Sequence, residues 1–387
     1  MPACKSVYDP QEDSTVLERY VRKYARGRVL DMGTGSGIQA IAASQNKNVR
    51  SVIATDILKG VIDYCKRNIQ NHRIRFLQSN LFQNIKGKFD TIIFNPPYLP
   101  QELKLKDLTI EGGKKGYETI EKFLNNVNDF LESDGLILLI FSSLTKKEKV
   151  EEFIRKNLLE FEELEKIHIF FEDIYVYLLS KNVLLKELES RDITNIRYLA
   201  KGRRGLIFTG LWKNKKITIK TKNPQSKAIG RIENESKWLR MLNKHNIGPK
   251  LIFEGTNYFA YGYVDGAFIV DYIKKYDRNK IKKAIENLFN QLFVLDKLKI
   301  EKEEMHHPFK HIIVERNKPC LIDFERMHYS QHPKNVTQFC QFLTHSKMFS
   351  LLKSKQIPID KKKLLELAKI YKKSPSEDNF KKIAGIV

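Results

Sequence analysis

Asn95, Pro96, Pro97 and Tyr98 stand together at the end of the apolar run FDTIIF. Proline fixes its own φ and biases the residue before it toward extended backbone, so the Asn95 amide and the Pro96 carbonyl are held in one rigid arrangement. Together they offer hydrogen-bond acceptors to a planar NH2 group, and Tyr98 offers a ring to stack on it. Such a clamp suits an amide or an exocyclic amine and turns the nitrogen lone pair toward an electrophile. A second set lies upstream in VLDMGTGSGIQA, where Asp31, Gly33, Gly35 and Gly37 end a strand and begin a helix. Glycines there let backbone turn sharply and approach a ligand without a Cβ clash. Asp56 ends the next strand in VIATD, where a carboxylate can accept both hydroxyls of a ribose. This pair alone leaves NAD and S-adenosylmethionine equally open. Hydride transfer has no use for the amine clamp, so the clamp selects a methyl donor.

Several elements must position these residues. TVLERYVRKYA has helical spacing, GRVLDMG is a short strand, and IQAIAASQN a helix; VRSVIATDI, IRFLQSNLF and FDTIIFNPPY are further strands with a helix at LKGVIDYCKRNIQNH. YETIEKFLNNVNDFL and KKEKVEEFIRKN read as helices around the strand GLILLIFSS, and LEKIHIFFEDIYVYLLSK as a closing hairpin. Strands separated by helices imply βαβ units and a mainly parallel sheet, at whose strand ends ligands bind.

These motifs resemble the class I S-adenosylmethionine-dependent methyltransferases of the HemK/PrmC type, in the short archaeal and eukaryotic branch. VYDPQEDSTVL, DMGTGSG, ATD, SNLF, FNPPYLP and EGGKKGYETIEKFL carry the resemblance. It implies a Rossmann-like seven-stranded α/β fold and methylation of the glutamine amide in the GGQ motif of peptide-chain release factors. Asp31, Gly33, Gly35, Gly37 and Asp56 would hold the cofactor. Asn80 and Leu81 would lie near the adenine, Asn80 replacing the family's usual Asp, and the VYDPQED segment with Asp13 would cover the cofactor. Asn95, Pro96 and Tyr98 would hold the substrate amide. Relatives in this branch use a small zinc-ribbon activator. The same clamp also suits the exocyclic amine of adenine or guanine in RNA or DNA.

The second half changes pattern. IRYLAKGRRGLIFTGLWKNKKITIKTK reads as antiparallel strands, followed by a helix at AIGRIENESKWLRMLNKHN, two strands and a mostly helical remainder. Lys220 ends a strand in ITIKTK, Gly202 and Gly205 form a turn able to cover phosphates, Glu235 can pair with Lys220, and Asp323 stands in CLIDFERM where a D-F-G aspartate binds Mg2+. Aligning HPFKHIIV to the catalytic loop puts His311 at the usual second Mg2+ ligand and His306 at the usual proton-accepting Asp, with Glu303 or Glu304 as substitutes. These residues, with KEEM and NVTQF, resemble the RIO and KEOPS-associated atypical kinases. The resemblance implies a two-lobed α+β fold, with ATP and Mg2+ bound through Gly202, Gly205, Lys220, Glu235, His311 and Asp323. His306, His307 and His311 also raise a metal site, without a nearby Cys to support it.

The sequence thus divides into a methyltransferase-like domain at 1–181, a linker helix at 182–192, a kinase-like domain at 193–345 and a basic extension of two helices at 346–387. Of 387 residues, 42% are hydrophobic, enough for real cores, and the net charge of +23 suits polyanions such as RNA or the ribosome as well as a merely lysine-rich surface. Cys4, Cys65, Cys320 and Cys340 form no CxxC pair and read as reduced thiols. No secretion signal or membrane span is legible, so a cytoplasmic setting is expected.

Overall fold

Apolar strand runs alternating with amphipathic helices can bury both faces of a sheet only by placing helices on each side. The computed structural model of the chain describes residues 11–97, 99–100, 111–169, 171–202, 205–223 and 231–386. It divides into two units, Met1–Arg197 and Tyr198–Val387.

In the first unit β1 (Gly27–Met32), β2 (Val49–Asp56), β3 (Ile74–Gln78) and β4 (Phe89–Phe94) are parallel and lie in the order β3-β2-β1-β4. The strand Leu131–Ser142 continues the sheet in parallel beside β4. Glu172–Lys181 then runs antiparallel, and Leu159–Ile169 closes the edge as its hairpin partner. The strand order reverses between β1 and β4, which opens a crevice at their carboxyl ends. Two helices frame that crevice, α1 (Glu12–Tyr24) and α2 (Ile38–Gln45). The central strands are the most buried, and Leu131–Ser142 is buried without a break from Gly135 to Ser142, as a strand covered on both faces must be.

The helix expected as a linker, Val183–Ser190, is built into the first unit. Leu185 and Leu188 are fully buried, and Asn182 caps the helix by accepting a hydrogen bond from the Leu185 N–H at 2.8 Å. The Lys181 ammonium beneath it is inaccessible to water. It donates to the carbonyls of Asn128 and Leu131 and pairs with Glu189 at 2.7 Å.

The second unit holds most of a five-stranded sheet, in the order Thr194–Lys201, Gly205–Trp212, Lys215–Lys222, Tyr258–Gly262, Leu251–Gly255; the last four strands pair antiparallel. The helix Arg231–Asn243 joins the third strand to the fifth and buries Trp238, Leu239 and Leu242. The remainder is helical around Arg278–Lys297, with the short strands Ile300–Glu301 and His328–Tyr329 paired to each other. The tail forms three helices rather than two: Ser346–Ser354, Lys361–Lys373 and Glu377–Ala384. It is also part of the core rather than an appendage. Leu364, Ala368 and Tyr371 make a helical stripe that joins Phe380 and Ile383 in the same cluster as Phe289 and Leu292, while the lysines occupy the other face.

Among the described residues no helix is long and apolar enough to cross a membrane. Cys65, Cys320 and Cys340 are free thiols.

Candidate active site

The end of β1 and the start of α2 make the floor of the crevice. Gly33, Gly35 and Gly37 have φ of 70°, 51° and 87°, the left-handed region that glycine enters without a Cβ penalty. The turn is tied to β2, because the Thr34 N–H donates to the Thr55 carbonyl at 2.8 Å. Asp31 is buried under the turn and accepts a hydrogen bond from the Thr34 hydroxyl at 2.6 Å. Burial pushes its carboxyl up to about 7; the Thr34 hydrogen bond pulls it back, and the charge of Asp56 adds to the rise. Asp56 accepts from the Gly35 N–H at 3.2 Å through one oxygen and from the Leu58 N–H at 3.0 Å through the other. Each oxygen keeps lone-pair capacity for a further donor.

The wall is made by the ends of β3 and β4. Ser79 donates from its backbone to the Asp56 carbonyl and from its hydroxyl to the Leu81 carbonyl, which holds Leu81 at a φ of 48°, unusual for a branched side chain. Asn80 beside it is exposed. At the tip of β4, a Cβ added to Gly33 would lie 3.7 Å from the Asn95 carbonyl oxygen. The glycine turn and the amine clamp are therefore neighbours, as the sequence motifs require. Pro96 is buried and Pro97 half-buried; Tyr98 lies outside the described residues.

Asp13, expected over the cofactor, is buried against Asn95. Its Oδ2 accepts from the Asn95 amide at 3.0 Å and its Oδ1 from the Ser14 N–H at 2.6 Å. Two residues that the sequence did not single out complete this corner. The Ser14 hydroxyl lies 3.5 Å from the Asn95 amide nitrogen, and the buried Gln39 of α2 donates to the Ser14 carbonyl at 2.8 Å. Nothing local signals such a corner, since 82 residues separate Asp13 from Asn95. Open glycine backbone, a half-exposed carboxylate and a buried acid able to gain negative charge fit a nucleoside that carries a cation.

The second unit gathers a separate charged cluster. Lys220 sits 2.6 Å from Glu235 and 3.1 Å from Asp323. Burial works against the Lys220 ammonium, but Glu235 and Asp323 outweigh it and raise its pKa. Burial likewise opposes the Asp323 carboxylate, and Lys220 and Lys302 outweigh it and lower its pKa. Asp323 has a φ of 63° and is followed by a Phe324 N–H that donates to Glu235 at 3.3 Å. A Cβ on Gly205 would meet the Thr221 carbonyl at 2.9 Å and the Lys220 side chain at 3.6 Å, so the Gly205 backbone lies against the lysine. His311 Nδ1 lies 3.8 Å from Asp323.

His306 is exposed and turned back on the Glu303 carbonyl, and Glu303 is half exposed and faces His328. Lys302, wholly buried, donates to the Asp323 carbonyl, and its ammonium lies 3.3 Å from Glu304. Glu304 is thus the loop carboxylate held in the cluster. Among the described residues a possible cation-holding group is Glu235, Asp323 and Glu325 rather than the histidines.

Residues 9–171 match the family model "Methyltransferase small domain". The "Putative protein N5-glutamine methyltransferase" of Methanocaldococcus jannaschii is 35% identical over 146 residues, covering 36% of this chain and 74% of that protein. A release factor glutamine methyltransferase of Haemophilus influenzae is 29% identical over 160 residues, 36% of this chain and 54% of that one. A ribosomal protein uL3 glutamine methyltransferase of Bordetella pertussis is 32% identical over 126 residues, 29% and 42%. The chain therefore spans three quarters of the archaeal relative and about half of the bacterial ones. With the reversed strand order, the glycine turn and the asparagine at the β4 tip, these likenesses show that the chain belongs, through its first unit, to the N5-glutamine methyltransferase family.

Proposed function

We propose that the first unit methylates the side-chain amide nitrogen of the GGQ glutamine in a peptide-chain release factor. The observation that carries this reading is Asn95 at the tip of β4, against Gly33. Bound S-adenosylmethionine would supply a methyl group already activated on a sulfonium. The chain's own work is then alignment. Gly33, Gly35 and Gly37 admit the cofactor closely, Asp56 accepts its ribose hydroxyls, Asn80 and Leu81 flank its base, and Asp31 supplies negative charge. Asn95 and Pro96 accept the N–H groups of the substrate amide and hold its plane, so that the nitrogen lone pair points one way. No base must act first, because the nitrogen can shed its proton after the new bond forms. The net charge of +23 favours a second substrate class, an exocyclic amine of adenine or guanine in RNA or DNA. Incubation with labelled methyl donor, purified release factor and structured RNA side by side separates them. Label in the release factor supports the proposal, and label in RNA alone rejects it. Family resemblance adds a small zinc-ribbon activator and a cytoplasmic setting; adding such a subunit should raise the label incorporated.

We further propose that the second unit binds ATP with Mg2+ as an atypical kinase-like domain. The Lys220–Glu235 pair with Asp323 supports it, because an ammonium and a carboxylate held at that spacing suit a triphosphate and its metal. Of the two substitutes for the position aligned to His306, Glu303 and Glu304, Glu304 then takes the role of proton acceptor. Asp323→Ala should abolish Mg2+-dependent ATP binding, and Glu304→Gln should leave binding intact while removing any phosphate transfer. Equal ATP binding by wild type and Asp323→Ala would reject the assignment.

A further inference from the structure

The amide of asparagine has two ends of opposite character, and a clamp for an NH2 group works only if the oxygen faces the substrate. In this chain the choice is made by Asp13. The Asn95 atom lying 3.0 Å from Asp13 Oδ2 is the amide nitrogen, which donates to the carboxylate oxygen. The Ser14 hydroxyl, 3.5 Å from the same nitrogen, can accept as well. With Nδ2 turned toward α1, Oδ1 is left on the opposite side of the amide carbon.

Asp13 is itself fixed. It is 4% exposed, and its other oxygen accepts from the Ser14 N–H at 2.6 Å. Ser14 is 2% exposed, and its carbonyl is held by Gln39 at 2.8 Å. Gln39 lies on α2, the helix that opens from the glycine turn. The first turn of α1 is therefore pinned between the cofactor-side helix and the clamp.

We infer that Asp13 is a positioning residue for methyl transfer: it locks the Asn95 amide with its oxygen toward the substrate NH2 group. This rests on the reading of Asn95 as the amine clamp, and it applies equally to a glutamine amide and to a base amine. In this role Asp13 acts on the reaction through Asn95, from a side chain that is buried beside it.

Asp13→Asn tests this. Asparagine there can donate as well as accept, so the Asn95 amide is free to flip. At saturating S-adenosylmethionine, kcat on the substrate that wild type methylates should fall about 30- to 100-fold. The Kd for S-adenosylmethionine, by calorimetry on the full chain, should stay within about twofold of wild type. In an Asn95→Ala background, Asp13→Asn should cause no further loss. A tenfold weaker Kd with kcat preserved would make Asp13 a cofactor ligand and overturn the inference; so would losses that multiply in the double variant.

A second readout does not need turnover. In the protein saturated with S-adenosylhomocysteine and labelled at asparagine nitrogen, the Asn95 side-chain amide protons should exchange slowly in wild type and fast in Asp13→Asn. Unchanged exchange overturns the inference and leaves the methyltransferase reading standing. Slow exchange lost in the variant, with no label entering the release factor, supports the inference and rejects the release-factor substrate. Thermal melting of each variant identifies a loss due to unfolding; should Asp13→Asn not fold, Asp13→Glu, which keeps the acceptor, is predicted to retain slow exchange.

Discussion

Asp31 couples proton binding to cofactor binding. Its carboxyl is pushed up to about 7 by burial, so in the free protein it is mostly neutral at pH 6 and mostly ionised at pH 8. S-adenosylmethionine brings an ammonium and a sulfonium, and positive charge nearby favours the ionised form. Affinity should therefore rise with pH through 7 and level off above it, by up to about tenfold between pH 6 and pH 8. Asp31→Asn should flatten the dependence, and calorimetric Kd values at three pH values check both. The glycines of the turn separate fold from function. A Cβ at Gly37 would come within 2.4 Å of the Cδ1 end of Ile69 at a φ of 87°, so Ile69 must shift and Gly37→Ala should destabilise the first unit by about 2 kcal/mol. At Gly33 the same addition meets only ordinary contacts, at 3.7 Å and beyond. Gly33→Ala should cost about 1 kcal/mol through its φ alone. It should nonetheless weaken S-adenosylmethionine binding more than tenfold. Denaturant titration and calorimetry on the two variants check this; were Gly33 merely structural, Gly33→Ala would leave the affinity for S-adenosylmethionine unchanged.

At the scale of elements, the strand-helix alternation of the first half was legible because each strand is a short, nearly continuous apolar run and each helix keeps one apolar stripe. The glycine turn, Asp56 and the β4 tip were legible for the same reason: each lies beside the strand that positions it. Contacts between segments far apart in sequence were not. Asp13 meets Asn95, and Lys302 meets Asp323, only because the topology brings their elements together. Lys181 is the clearest case. A lysine at a strand end reads as solvated, yet its side chain is fully buried and bonded to two carbonyls and Glu189. That pair converts Val183–Ser190 from a linker into a fixture of the first unit. Removing only the anion leaves a buried charge, so Glu189→Ala should cost roughly 3 kcal/mol. Lys181→Met, which removes the charge and keeps an apolar stem of similar length, should cost about 1 kcal/mol. Urea unfolding of the two variants tests the order; a larger loss for Lys181→Met would mean that the carbonyl contacts outweigh the ion pair.

For the whole molecule, the described residues of the two units include two large buried clusters. One buried cluster runs from Val16 through Val29 and Ala54 to Val176, and another from Ile232 through Leu288 to Ile383. Among the described residues the two clusters share no member. The tail strengthens the second core, since Leu364, Tyr371 and Phe380 belong to it. Scanning calorimetry should accordingly resolve two transitions. A ligand stabilises only the unit that binds it, by RT ln(1 + [L]/Kd), about 2.7 kcal/mol at a hundredfold excess over Kd. S-adenosylmethionine should raise one transition temperature and leave the other unmoved, and ATP with Mg2+ should do the converse. Each ligand thereby reports on its own unit, whichever substrates the two sites turn over. A single transition raised by both ligands would mean that the two cores unfold as one, and that variants in either half must be judged against the stability of the entire chain.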